Sequence, residues 1–146
     1  MNRFSDDIER FLDAQTPVYA EVLQELATGR KTSHWMWFIF PQLRALGRSG
    51  TAKFFGIESR AEAQAYWAHP VLGARLKECV ELVLAAKDAR SAYAIFGRPD
   101  ELKLRSCMTL FDAVAPKEQM FKQVLSCFFG GQPDELTAVL LQLERT

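Results

Sequence analysis

Three polar residues stand around an aromatic run: Lys31 and His34 precede Trp35-Met36-Trp37-Phe38-Ile39-Phe40, and Gln42 follows it. Read as one helix, His34, Phe38 and Gln42 form a row at four-residue spacing, so two hydrogen-bonding groups bracket a ring. That row suits a pocket in which His34 and Gln42 bond a ligand resting on Trp35 or Trp37, with His34 giving or taking a proton. Lys31, together with the free amides of a helix start at Ser33 and His34, offers a place for an anion. The plainer alternatives are a solvated lysine and two polar groups satisfied by nearby backbone, as buried polar groups generally are. Gly29-Arg30-Lys31-Thr32 echoes a phosphate-binding loop, but the glycine-rich lead-in is missing and a helix precedes it where a strand is required.

A second set recurs at every third residue: Asp100, Lys103, Ser106 and Thr109. On a helix they make a slanted polar ridge that would present an acid, a base and two hydroxyls to a ligand. As plain structure, Asp100 and Lys103 are an ion pair while the two hydroxyls bond back to their own helix. His69, ahead of Pro70, reads as a helix cap or interhelical link, and Arg75 as a salt-bridge partner. Neither a Gly-x-Ser-x-Gly elbow nor a His-Glu-x-x-His motif is present. With two histidines 35 positions apart and no paired cysteines, no metal is expected. Cys79, Cys107 and Cys127 all fall on apolar stripes, where a thiolate is disfavoured. No cofactor is expected.

The elements that must position these groups come from an apolar chain. At 146 residues it fits a single domain, and a domain of that size buries roughly 70% of its unfolded surface without needing a metal or disulfide. Hydrophobic residues make up 49%, with eleven Phe and three Trp to fill a core. Eighteen basic residues against eighteen acidic ones leave no global field, so neither nucleic acid nor an anionic membrane is an expected partner. The odd cysteine count implies thiols in a reducing compartment. The amino-terminal residues turn acidic at once, unlike a signal peptide. The aromatic run is far shorter than the ~18 residues needed to cross a bilayer. A cytoplasmic location is expected.

Periodicity and punctuation predict an all-α fold of eight or nine short helices. Ser5 caps the first, over Ile8, Phe11 and Leu12. Thr16-Pro17 opens the second, which Gly29 ends. The third is the aromatic stretch from Lys31 to Leu43, capped by Thr32 or Ser33, apolar nearly all round and therefore central and buried. Ser49 and Ser59 cap two more, the latter as a capping box with Glu62. His69-Pro70 opens a helix striped by Leu72, Leu76, Cys79, Val80 and Val83. A turn from Ser91 to Phe96 follows, then helices opened by Pro99, through Met120 to Phe128, and after Pro133.

The residues Gly29 to Gln42 resemble the signature of a bacterial family known as domain of unknown function 1810. The resemblance continues through Glu62-Ala63, Tyr66, His69-Pro70-Val71-Leu72-Gly73, Arg75-Leu76 and Phe96-Gly97. It ends with Asp100, Lys103, Ser106 and Met108-Thr109-Leu110-Phe111. It spans nearly the whole chain, and it implies a multihelical fold with buried central helices and no established activity. Some members carry an automatic calpastatin-like label, which denotes a largely disordered inhibitor and does not suit this aromatic-rich chain. Cys107 departs from the pattern, where a second serine after Ser106 is usual.

Two functional readings stand together. In the first, a small anionic, nucleotide-like metabolite occupies a pocket where the central helix start meets the Asp100–Thr109 ridge. Lys31 and Lys103 hold the anion, Trp35 or Trp37 stacks on the planar moiety, and Gln42, Asp100, Ser106 and Thr109 line the rest; turnover would use His34. In the second, the chain is a non-catalytic protein–protein interaction module. Nothing in the residues sets the oligomeric state.

Overall fold

A computed structural model describes residues 3–145, with side chains from 8 to 144. Ten helices follow one another among them. The first half holds α1 (Arg3–Gln15), α2 (Tyr19–Thr28), α3 (Met36–Ile39), α4 (Gly50–Phe54) and α5 (Arg60–Ala68). The second half holds α6 (Leu72–Ala85), α7 (Ala92–Phe96), α8 (Asp100–Val114), α9 (Met120–Phe129) and α10 (Glu135–Arg145). The all-α class is as expected. The described residues carry no strand, only an isolated bridge between Leu43 and Ile57.

Local chemistry explains most boundaries. Ser49, Ser59 and Ser91 accept the third amide beyond them and start α4, α5 and α7. The His69 Nδ1 accepts from the amides of Val71 and Leu72 at 3.1 and 3.2 Å, so the histidine caps α6. Gly29 and Gly130 end α2 and α9 with φ of 77° and 61°, where a side chain would be strained. Two expected starts move. Thr16-Pro17 forms a turn, and α2 begins at Tyr19 with no side-chain cap. The helix at the amino end runs from Arg3, and the cap expected at Ser5 lies outside the described side chains.

The larger difference is the aromatic stretch. Its helix is a single turn, Met36–Ile39, preceded by an irregular loop and followed by Pro41, whose ring cannot continue it. Leu43 then leaves in extended conformation, bridged to Ile57 by the Arg44 amide to the Ile57 carbonyl and the Ile57 amide to the Gln42 carbonyl, both 2.8 Å. The stretch is buried as expected, with Trp35, Met36, Ile39 and Phe40 almost inaccessible. The helix segment buried on every side lies in α8: Leu104 and all residues from Ser106 to Phe111 are buried.

Around α8 the aromatic rings link the elements. Phe11, Tyr66, Phe111 and Phe121 follow one another at centroid spacings of 5.1, 5.4 and 5.8 Å, joining α1, α5, α8 and α9. Trp35, Phe40 and Phe96 form a second group that seats the aromatic stretch on α7. Several buried polar groups are paired within this core. Gln15 donates to the Phe38 carbonyl at 2.7 Å and to the Tyr66 hydroxyl at 3.0 Å. The fully buried Glu62 meets Arg10 at 3.1 Å, and Arg10 also donates to the Phe54 and Gly56 carbonyls. None of the described helices is long and apolar enough to cross a membrane.

Candidate functional site

The loop from Arg30 to Trp35 is organised by a residue of the preceding helix. Glu25, buried near the end of α2, accepts at Oε1 from the amides of Thr32 (2.7 Å) and Ser33 (3.0 Å) and from the Trp35 indole Nε1 (3.0 Å). Its Oε2 accepts from the Ser33 hydroxyl at 2.6 Å. Burial by itself would push this carboxyl up, but the hydrogen bonds outweigh it and hold the pKa at about 2. Glu25 therefore stays ionised as an internal anion.

This corrects the anion site expected at the helix start. The Ser33 amide is already taken by the protein's own carboxylate, and the helix begins three residues later and spans four residues. The row of His34, Phe38 and Gln42 also dissolves, because no helix connects them. His34 is exposed in the loop, while the main chain of Gln42 is tied into the bridge beside Ile57.

Five of the expected residues do converge. The Lys31 amide donates to the Ile95 carbonyl, laying the loop on α7 beside the start of α8. The Lys31 side chain is 8% exposed, and its ammonium lies 2.8 Å from Asp100, donates to the Ser33 carbonyl at 2.6 Å and sits 5.0 Å over the Trp35 ring. Lys103 approaches the other oxygen of Asp100 at 3.6 Å and lies 5.0 Å over the half-buried Trp37. Asp100 thus bridges two lysines, each on the face of a different tryptophan, and the trio retains one positive charge.

The rest of the ridge goes elsewhere. Ser106 is buried and donates to the Leu102 carbonyl at 3.2 Å. Thr109 donates to the Arg105 carbonyl and accepts from the Asp134 amide, both at 2.8 Å, anchoring the chain that enters α10. Nine residues separate Asp100 from Thr109, about 13 Å along a helix, so one small ligand head does not meet both ends. The helical back-bonding that was the plainer reading is what the two hydroxyls do.

Sequence reasoning passed over Glu25. The signal was available: a glutamate interrupts the apolar stripe of Val22, Leu23 and Leu26, and a carboxylate on a buried face requires partners. It also placed all three thiols inside, whereas Cys127 is exposed. Burial pushes the Cys79 thiol up to about 12 and raises that of Cys107, which removes both as nucleophiles. No group of His, Cys, Asp and Glu among the described residues is arranged to hold a metal.

Comparison with known proteins agrees with this fold and adds no reaction. The chain is similar to a solved structure, the crystal structure of the conserved hypothetical protein Rv1873 from Mycobacterium tuberculosis. The two are 51% identical in sequence with a TM-score of 0.91, over 93% of this chain and 96% of that one. No functionally curated protein matches. A family model described as Protein of unknown function (DUF1810) matches residues 5–141, and the chain belongs to that family.

Proposed function

We propose that this protein binds a small organic anion carrying a planar group, a nucleotide-like metabolite, at the junction of the Arg30–Trp35 loop with the start of α8. The observation that carries the reading is the state of Lys103. Its ammonium lies on the Trp37 ring and 3.6 Å from Asp100, beyond a good charge-assisted hydrogen bond. Its donors are therefore available, and a planar group can lie along the part-exposed indole. Lys31, fully engaged, fixes Asp100 rather than touching the ligand. His34, exposed on the same loop, is the group that would exchange a proton if binding extends to turnover.

The experiment is a thermal-shift screen with nucleotides and aromatic carboxylates, since a ligand at ~100 times its dissociation constant adds ~2.7 kcal/mol. A shift that falls in Lys103→Met and in Trp37→Leu supports the reading. No shift from any organic anion, or a shift that neither change reduces, removes it.

A second reading, a protein-interaction module, is favoured by the outer face of α10. Leu136, Val139 and Leu143 are 55%, 45% and 63% exposed at spacings of three and four residues, one apolar stripe on a terminal helix. Light scattering that shows self-association, abolished by Leu136→Lys/Leu143→Lys, would favour this reading over the first.

A further inference from the structure

The chain is electrically neutral as a whole, but its charges are unevenly placed. Between Glu25 and Glu58 there is no acidic residue, while Arg30, Lys31, Arg44, Arg48 and Lys53 all fall there. Lys31 is neutralised by Asp100 from α8. Arg44 and Lys53 meet no carboxylate within ion-pair distance among the described residues; instead they converge, with Arg10, Gly50 and Phe54, on a recess of about 410 Å³ beside α4. Arg10 is already matched by the buried Glu62 beneath it. Among the described residues the recess therefore presents two positive charges without a carboxylate partner in one concavity, a place suited to an anion.

Its framework is rigid. The Arg44 backbone is clamped by the bridge to Ile57. Gly56 packs so closely that a Cβ there would stand 2.3 Å from the Arg44 Cα. The Arg10 guanidinium fixes the corner opposite by donating to the carbonyls of Phe54 (2.7 Å) and Gly56 (2.9 Å). Phe54 is 58% exposed, yet its ring is set edge-on against Phe55 at 4.8 Å, and Phe55 packs on Phe11 and Phe38. A large ring held in water beside two cations on a braced loop costs little to order on binding.

We propose that the recess beside α4 binds a phosphomonoester carried on an aromatic or heterocyclic group, its phosphate between Arg44 and Lys53 and its ring on Phe54. The two free charges match the −1.5 to −2 of a phosphomonoester near neutrality, whereas a carboxylate would leave one unmatched. Arginine supplies a planar pair of donors for phosphate oxygens and lysine a point charge. Ring-on-ring stacking is tolerant of the base's identity, so the class is set by the phosphate and by planarity. This site is separate from the Trp37–Lys103 junction and does not depend on it.

The test is calorimetric titration of the full chain with adenosine 5′-monophosphate and, separately, with inorganic phosphate. Saturable binding of the nucleotide is expected, about tenfold weaker in Arg44→Ala/Lys53→Ala and severalfold weaker in Phe54→Ala. Inorganic phosphate should bind more weakly, lose affinity in the double variant and ignore Phe54→Ala. Nucleotide binding that is kept in Arg44→Ala/Lys53→Ala and lost only in Lys103→Met belongs to the other site and overturns this one. The Arg44, Lys53 and Phe54 side chains are exposed, and an unaltered melting midpoint will show that each of these variants is folded. Absence of saturable binding at up to ~10 mM of either probe, or equal binding by the double variant, overturns the proposal. Binding to phosphatidylserine vesicles or a single-stranded oligonucleotide without binding to the nucleotide also overturns it, in favour of a surface for polyanions.

Discussion

Replacing Glu25 by glutamine separates the charge at the centre of the Arg30–Trp35 loop from its shape. In the native chain the carboxylate takes two amides, an indole N–H and a hydroxyl, and its pKa falls from 4.5 to about 2. A group with a depressed folded-state pKa contributes stability that is complete above the unfolded-state value and lost as pH falls through the folded one. At 1.36 kcal/mol per pKa unit, the contribution is about 3 kcal/mol above pH 5, fading towards pH 2. Glutamine keeps one oxygen for the three N–H donors. The Ser33 hydroxyl, which also reaches Glu21 at 2.9 Å, can turn to accept from the new amide. The variant should therefore fold but be about 3 kcal/mol less stable at neutral pH, with the gap closing as the medium is acidified to about pH 2. Urea unfolding followed by tryptophan fluorescence at steps of pH measures this directly. A gap that stays constant across the acid range, or none at neutral pH, would refute the assignment of the depressed carboxyl to Glu25.

Three further outcomes are expected. Arg10→Met leaves the fully buried Glu62 without its guanidinium partner, at a cost of about 3–5 kcal/mol in urea unfolding; pairing it with Glu62→Leu should recover most of the loss. Gly73→Ala would put a Cβ 2.2 Å from the Trp67 carbonyl oxygen, whereas at Gly50 a Cβ meets nothing within 4 Å. The first change should therefore lower the melting midpoint by several degrees, for a cost of about 1–3 kcal/mol, and the second should not. A thiol reagent should titrate only Cys127 in the native state and all three cysteines in denaturant, because Cys79 and Cys107 are buried.

The helices that could be read from the chain are those whose signals are local. The Ser49 and Ser59 caps, the His69 cap, the Gly29 stop and the apolar stripe of α6 each depend on residues within a turn or two, and each is found in place, whereas the cap expected at Thr32 or Ser33 is not, because Ser33 turns to Glu25. The aromatic stretch could not be read that way. Six apolar residues in a row give no face, so burial was legible but helix length was not. Its conformation is decided by Glu25 and Gln15 on earlier helices and Ile57 beyond Pro41, which satisfy its backbone and the Trp35 indole from a distance. The candidate site divides the same way. The Lys31 loop and the start of α8 were expected to meet as two sides of an anion pocket, but the ion pair that closes Lys31 onto Asp100 across 69 positions was not. The recess beside α4 was not anticipated, because overall neutrality hid an acid-free stretch whose cations gather only once Gly56 folds against Arg44.

From Ser106 to Phe111 the chain is enclosed on every face, and its two hydroxyls are closed onto carbonyls of the same helix. Such a segment has no permissive side. Adding or removing a single methylene is registered by neighbours from α5, α7, α9 and α10, and a polar replacement finds no water to turn to. Mutational tolerance should therefore be partitioned sharply along the sequence. A saturation scan would find this six-residue block nearly invariant in volume, while the outer face of α10 and the turn between α6 and α7 accept most side chains. Drift in this protein is then channelled into its edges, which are also the surfaces where a new partner or ligand would first be met.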